Sequence, residues 1–383
     1  MTSPLPELIN HVVTGSPVYD LVLDGTKVGW WRDRVEAWKR GEKIAPVTMD
    51  VAWTRKCQAA CSFCYATGQA SADGKVITKQ IALDFLDDAA EIGVKGISLI
   101  SDGESTVVPW YAESIEYAAR LGIKIGVGSN GIALTRDVLE RILPHISYLR
   151  FNFSAGERKR YAEIMGVKQT FYDRVLQNIR DAMEIKRRDN LPVSVNMQLV
   201  CMPQDGDQLL PFARLAKSIR PTYAIIKHCA DSKDRHIGVD YSGYAALHEV
   251  FRQCEAMSDE ELRIVVKWSR IQDEGKRNYS RCFGPPFLLQ MSGSGLISTC
   301  GFHFNEKYKK FHIGNICESR FRDIFHSDRY LEVIRYIASE QFNPQYSCGP
   351  NCLQTNTNQW LFDHVNGRVG FSAGKPPPDL EFL

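Results

Sequence analysis

Eight residues of this chain, Cys57-Gln58-Ala59-Ala60-Cys61-Ser62-Phe63-Cys64, carry three thiols separated by three and then two positions. A tight loop of that length can turn all three sulfurs toward one centre. Thiolates suit a soft metal or an iron–sulfur cluster, whereas calcium and magnesium want oxygen. A structural zinc ion needs a fourth close Cys or His, and none follows before His145. A cubane held by three cysteines instead leaves one iron open to a substrate or cosubstrate. A second set comes later: Cys282, Cys300 and the knuckle Cys348-Gly349-Pro350-Asn351-Cys352. Phe287–Met291 and Leu296–Cys300 read as two short strands around a Ser292–Gly295 turn, a hairpin that brings Cys282 and Cys300 near each other. Four thiolates can close a whole cluster, or hold zinc as a ribbon does.

The first spacing, with aromatic Phe63 just before its last Cys, resembles the CxxxCxxC signature of the radical SAM superfamily. That resemblance implies a [4Fe–4S] cluster on Cys57, Cys61 and Cys64, with S-adenosylmethionine bound at the open iron. Ser101-Asp102-Gly103-Glu104 resembles the family's Gly-Gly-Glu motif, which contacts the methionine amino group. Asp102 stands where the family has its first glycine, and a strand-terminal turn with a solvated carboxylate is the plainer reading. Ser129 and Asn130 occupy the position where relatives set polar groups against the ribose, and Ser154 the position that contacts the methionine carboxylate. With Phe63, Gly103 and Glu104 they make the candidate cosubstrate site. Gly295, the His312–Ile316 segment and the helix after it resemble the SPASM auxiliary domain. The middle CxxC of the full pattern is missing, so the module resembles the shortened Twitch form, with one auxiliary [4Fe–4S] cluster on Cys282, Cys300, Cys348 and Cys352. Cys317 reads as a spare thiol.

The elements that must position these residues alternate. From Val47 an apolar–polar run leads as a strand into the cysteine loop. Strands follow at Gly96–Ser101, Ile123–Gly128, Tyr148–Phe153, Val193–Cys201 and Tyr223–His228. Helices separate them at Thr78–Ile92, Pro109–Leu121, Thr135–Leu143, Phe171–Asp189 and Asp205–Ile219. This βα rhythm means a parallel sheet. Six units fit an α/β fold with an open, partial (β/α)6 barrel and chemistry at the strand C-termini; the resemblance implies the same fold. The expected organisation is an N-terminal extension over 1–45, the barrel over 46–235, a bridge over 236–279 and a small α+β auxiliary-cluster domain over 280–383. Trp30, Trp31 and Trp38 in the extension read as packing residues. The charged run Asp231–Arg235 reads as a solvated loop, and the tail after Lys375 as a mobile polyproline stub. Gly126, Gly128 and Gly131 spell the dinucleotide fingerprint GxGxxG. No acidic residue ends the next strand, so that reading is weak.

With 47 basic and 45 acidic residues the formal charge is +2, and no nucleic-acid footprint appears. No apolar run is long enough for a membrane helix, and residues 1–46 have no signal-peptide core. Eleven cysteines without a secretory signal point to metal ligation in a reducing compartment, hence to the cytoplasm. The expected activity is reductive cleavage of S-adenosylmethionine, with flavodoxin or ferredoxin as electron donor. Hydrogen is then abstracted from a small polar, amino-sugar-like or natural-product substrate, with oxidation of an alcohol to a ketone. The alternatives are epimerisation, with Cys229 as the catalytic hydrogen donor at the mouth of the sixth strand, and modification of a ribosomally made peptide. A non-catalytic metal-binding module is a more distant one. A polar mouth of Glu157, Arg158, Lys159, Arg160, His228 and Asp231 suits a hydroxylated substrate, or is a set of solvated loop charges.

Overall fold

A computed structural model describes residues 22, 25–69, 74–272 and 276–383. Most of the expected extension before Thr26 lies outside the described residues. Among the described residues ten strands share one sheet. They are β1 (Thr48–Val51), β2 (Gly96–Leu99), β3 (Lys124–Ser129), β4 (Tyr148–Asn152), β5 (Ser194–Cys201), β6 (Tyr223–His228), β7 (Arg263–Val266), β8 (Leu288–Met291), β9 (Leu296–Ser298) and β10 (His312–Asn315). β1 to β6 run parallel in chain order, as the βα rhythm requires, and β7 extends them at the far edge. On its other side β1 pairs in parallel with β8, Asp50 opposite Gln290. β9 and β10 follow antiparallel. The hairpin of the second cysteine set is therefore built onto the first strand of the barrel.

Local chemistry explains the elements. Thr78 caps the helix Lys79–Ile92, its hydroxyl accepting from the Ile81 N–H, and Gly93 ends it in the left-handed region at φ +101°. Its inner face buries Ala82, Phe85, Leu86 and Ala89. Asp88 on the same helix is also buried, and takes a two-pronged bond from Arg320 at 2.9 and 2.7 Å. Met49 and Val51 of β1 go into the main core with Ile97, Val127, Leu149 and Val195. Trp31 and Trp38 pack, as expected, around a second core of Val28, Val35, Phe287 and Leu361.

The glycines of the GxGxxG run have a packing cause. A Cβ at Gly126 would run into the Tyr148 ring, and one at Gly128 would run into Ile100 and lie 3.0 Å from Nη2 of Arg150. They clear space for Ile100 and for two large β4 side chains, which is a different job from receiving a pyrophosphate.

Three expectations change. A helix at Arg158–Met165 was not foreseen, because the polar start of Arg-Lys-Arg-Tyr hides its one apolar stripe of Tyr161, Ile164 and Met165. Asp231 and Ser232 are buried rather than solvated. The Asp231 carboxylate accepts from the N–H groups of Ser232, Ile237 and Gly238 at 2.8, 3.2 and 2.8 Å, which folds the loop back on itself. The residues beyond the proline run are packed against the barrel. Thr48 donates its hydroxyl to the Glu381 carbonyl at 2.6 Å, and Lys27 reaches the Asp379 carbonyl at 2.8 Å. The Phe382 ring meets Tyr148 edge-on at 5.0 Å. The last residues thus close the floor of the barrel, where β1, β2 and β4 begin. The proline run only leads into this contact, and backbone carbonyls make it.

Candidate metal centre

The three-cysteine loop leaves β1 through Ala52–Lys56 and is held from two sides. Backbone amides of Ala60 and Ser62 donate to the carbonyls of Met165 and Ile164 at 3.1 and 2.9 Å, so the helix Arg158–Met165 ends against the loop. Gly166 follows at φ +61°, and a Cβ there would run into the Ala60 carbonyl. On the other side the Glu104 N–H donates to the Lys56 carbonyl at 2.9 Å. Gly103, at φ +82°, packs so closely on Thr54 that no side chain fits. The three thiols lie near enough to act on one another electrostatically. Burial and then the neighbouring Cys64 and Cys57 sulfurs push the Cys61 thiol well up, and burial also raises Cys57 and Cys64. Asn130 points its amide at the Cys57 sulfur, 3.6 Å away.

Glu104 is the hub of the adjoining shelf. It is 5% exposed. Its Oε1 accepts from the hydroxyls of Thr106 and Ser129 at 2.7 and 2.9 Å, and its Oε2 from the Asn130 N–H at 2.7 Å. Burial raises its carboxyl above the usual range, and these donors oppose that rise. The Thr106 N–H adds a third donor to Oε1 at 3.4 Å, so Oε1 is used up, and Oε2, which takes Asn130 alone, keeps one of its two lone-pair sites for a cationic ligand. Ser129, Asn130 and Glu104 are thus one unit joining the ends of β2 and β3. Ser154 stands apart from it. Its hydroxyl accepts from the Val200 N–H at 3.1 Å and ties β4 to β5. Cys229 is fully buried, with its sulfur 3.7 Å from the Phe63 carbonyl of the cysteine loop. Burial pushes its thiol up to about 12. Of the polar-mouth residues, Arg158 and Arg160 pair with Asp173, Asp205 and Asp207 at the surface.

The second cysteine set gathers from three segments. Cys282, Cys300 and Cys348 are each raised first by burial and then by the Cys352 sulfur, Cys348 to about 12. Gln354 and Asn358 aim N–H groups at the Cys352 sulfur from 3.4 and 3.7 Å. Arg277 fixes the knuckle by donating to the Pro344 carbonyl at 2.7 Å and to the Gly349 carbonyl. Among the described residues no three Cys, His, Asp or Glu side chains close tightly enough to hold a single metal ion. A cubane is several ångströms wide and needs its thiolates spread further than zinc does. Two groups of desolvated, mutually repelling thiols fit such a cationic cluster, because a bound cation removes the cost of ionising them.

Sequence reasoning missed the residues that join the two sets. Asp102 accepts from the Ser292 hydroxyl and the Gly293 N–H, both at 2.7 Å, and faces Arg55 at 3.5 Å. Gly293 packs on the Thr54–Arg55 backbone, as Gly103 does. Gln290 donates to Asp50 at 2.7 Å and accepts from the Gly301 N–H, next to Cys300. Tyr65, directly after Cys64, meets Phe302 edge-on at 4.9 Å. The one available signal was Asp102 itself, a carboxylate where the resembling motif has glycine.

Residues 51–216 match the radical SAM superfamily model, and residues 282–353 match an iron–sulfur cluster-binding domain, SPASM. An AdoMet-dependent heme synthase of Methanosarcina barkeri is 22% identical over 311 residues, 74% of this chain and 84% of that protein. An S-adenosylmethionine-dependent nucleotide dehydratase of Flammeovirga pacifica is 26% identical over 30% of this chain and 40% of its own length. Among solved structures, Streptococcus suis SuiB bound to S-adenosylmethionine has a TM-score of 0.59 at 16% identity, covering 79% of this chain and 71% of that one. Native anSMEcpe with bound AdoMet has a TM-score of 0.56 at 11% identity, covering 84% and 96%. Among the described residues no helix is long and apolar enough to cross a membrane.

Proposed function

This chain belongs to the radical SAM superfamily and carries a SPASM iron–sulfur domain, and we propose that it dehydrogenates a small polar substrate, turning an alcohol carbon into a ketone. [4Fe–4S] clusters and S-adenosylmethionine are the cofactors these domains imply. When bound, they supply a 5′-deoxyadenosyl radical that takes a hydrogen atom from a substrate C–H. Cys57, Cys61 and Cys64 would hold the first cluster, and Cys282, Cys300, Cys348 and Cys352 the auxiliary one. Glu104 would take the cosubstrate ammonium on its spare lone pair, with Gly103 setting the turn. Ser129 and Asn130 would meet the ribose, Ser154 the carboxylate, and Phe63 would flank the cluster. Flavodoxin or ferredoxin would supply electrons, and the cytoplasm would be the setting.

The observation that carries the oxidative reading is Gln290. It joins Asp50, inside the barrel, to the Gly301 N–H beside Cys300, so that the substrate side and the auxiliary set share one buried hydrogen-bonded path. A second reading, epimerisation, is favoured by Cys229, which lies against the cysteine loop and keeps its S–H through neutral pH. A peptide substrate is a third, since the fold neighbour SuiB is known bound to a precursor peptide, SuiA. Mass spectrometry of product formed in deuterium oxide tests the choice. Loss of two hydrogens is expected. One deuterium gained with no such loss would overturn dehydrogenation in favour of epimerisation.

A further inference from the structure

βα-barrel interiors are ordinarily filled with branched apolar side chains. This one is charged. Asp50 of β1 alternates with the core residues Met49 and Val51 and so points inward, where Ser98 of β2 and Gln290 of β8 hydrogen-bond it. Arg150 of β4 and Lys227 of β6 both act electrostatically on Asp50. Arg150 lies in the space that Gly128 clears. Its Nε is buried without a hydrogen-bond partner, and so is Oε1 of Gln198, a residue 2% exposed on the neighbouring β5. Below this layer Tyr148 donates to Ser98 at 3.0 Å, and the tail closes the floor. A guanidinium with a buried, unused Nε donor, on the strand next to a buried, unused amide oxygen, does nothing for folding that an apolar pair would not do better. Such groups are kept for a ligand.

We infer that the barrel lumen binds an oxyanion of the substrate, a carboxylate or a phosphate, through Arg150, while Gln198 and Asp50 accept hydrogens from its hydroxyl or ammonium groups. The unused Nε of Arg150 is a cationic donor, so the site favours an acidic ligand over a neutral one. The guanidinium fork suits two oxygens of one acid group. The inference rests on the function proposed above only in supposing that a small substrate enters the lumen.

The test needs no turnover, so it is independent of the choice between dehydrogenation and epimerisation. The anaerobically reconstituted full chain is titrated with inorganic phosphate and, separately, with acetate at constant ionic strength, and the thermal midpoint is followed. A saturable rise is expected in the wild type with at least one anion, and the stronger of the two names the acid group. Arg150→Met should abolish the saturable rise while keeping the iron content and a midpoint no lower than wild type. Arg150→Lys, which keeps the charge but not the fork, should respond with affinity weakened roughly tenfold, and it decides the matter if the Met variant does not fold. The inference is overturned by a wild type with no saturable response, by a response that survives in Arg150→Met, or by undiminished affinity in Arg150→Lys.

Discussion

The two cysteine sets are built by opposite strategies. The first is local: eight consecutive residues on one loop, with Cys57 exposed as a residue although its sulfur is partly desolvated. The second is assembled from a strand approach, a hairpin end and a knuckle seventy residues of sequence apart in all. None of its four thiols is fully exposed. The local set offers three sulfurs beside a shelf of hydrogen-bonded acceptors, and the assembled set offers four and has no comparable shelf. A site meant to receive a ligand keeps a coordination place and an opening. One meant only to hold a cluster can spend four ligands and close. The half-buried Asp50 and the buried Asp88 and Asp102 lie on the barrel side, and each bonds to a residue of the C-terminal region.

The largest effect should separate the sets outright. Protein purified without oxygen should hold about eight iron atoms, and Cys57, Cys61 and Cys64 changed together to Ala should leave about four and abolish S-adenosylmethionine cleavage. Cys348→Ala with Cys352→Ala should also leave about four but retain cleavage. Zinc in place of half the iron would break the contrast. Asp50 is next. Burial raises its carboxyl from an ordinary 3.8 to about 6, against the help of Gln290, Arg150, Ser98 and Lys227. A raised acid contributes stability below its unfolded value and loses it as pH climbs through the folded one. Asp50→Asn should therefore stabilise the fold above pH 7 by on the order of 2–3 kcal/mol, and by nothing near pH 4. Denaturant melts across that range would show a flat difference if the carboxyl is not buried. Glu104→Ala should weaken S-adenosylmethionine binding by roughly 1.5–3 kcal/mol, measured by calorimetry. Unchanged affinity would mean that the shelf serves only to join β2 and β3. Smallest is the link itself: Asp102→Asn keeps the shape but can offer only one good acceptor, and should cost about 1–2 kcal/mol of stability. The signature to look for is iron lost from both sets together; loss from one alone would show that they are not tied through this residue.

Much of this was legible in the sequence because it is local. Spacing fixes the first cysteine set, and the periods of two and 3.6 give β1 to β6 and most helices within a few residues. The lumen was not legible for a physical reason. Alternation in Met49-Asp50-Val51 shows that one face of β1 is polar, but the usual assumption puts that face in water. In this barrel the apolar face meets the helices, and the polar one turns inward. Asp102, Asp231 and the tail escaped for another reason. Their partners are backbone amides, carbonyls and a turn hydroxyl, which no residue pattern advertises.

Consider last the pairing of β1 with β8. Asp50 and Gln290 are 240 residues apart in the chain, yet β1 lies inside the sheet with β8 on one side and β2 on the other. Among the described residues the earliest strand in the chain is thus flanked on both sides only once the eighth has been made. During synthesis it holds an open edge while six further parallel strands appear, and such long-range closure makes folding slow. A fragment ending before residue 280 would keep that edge for good. It should therefore self-associate through β1, even though it contains every residue of the three-cysteine loop.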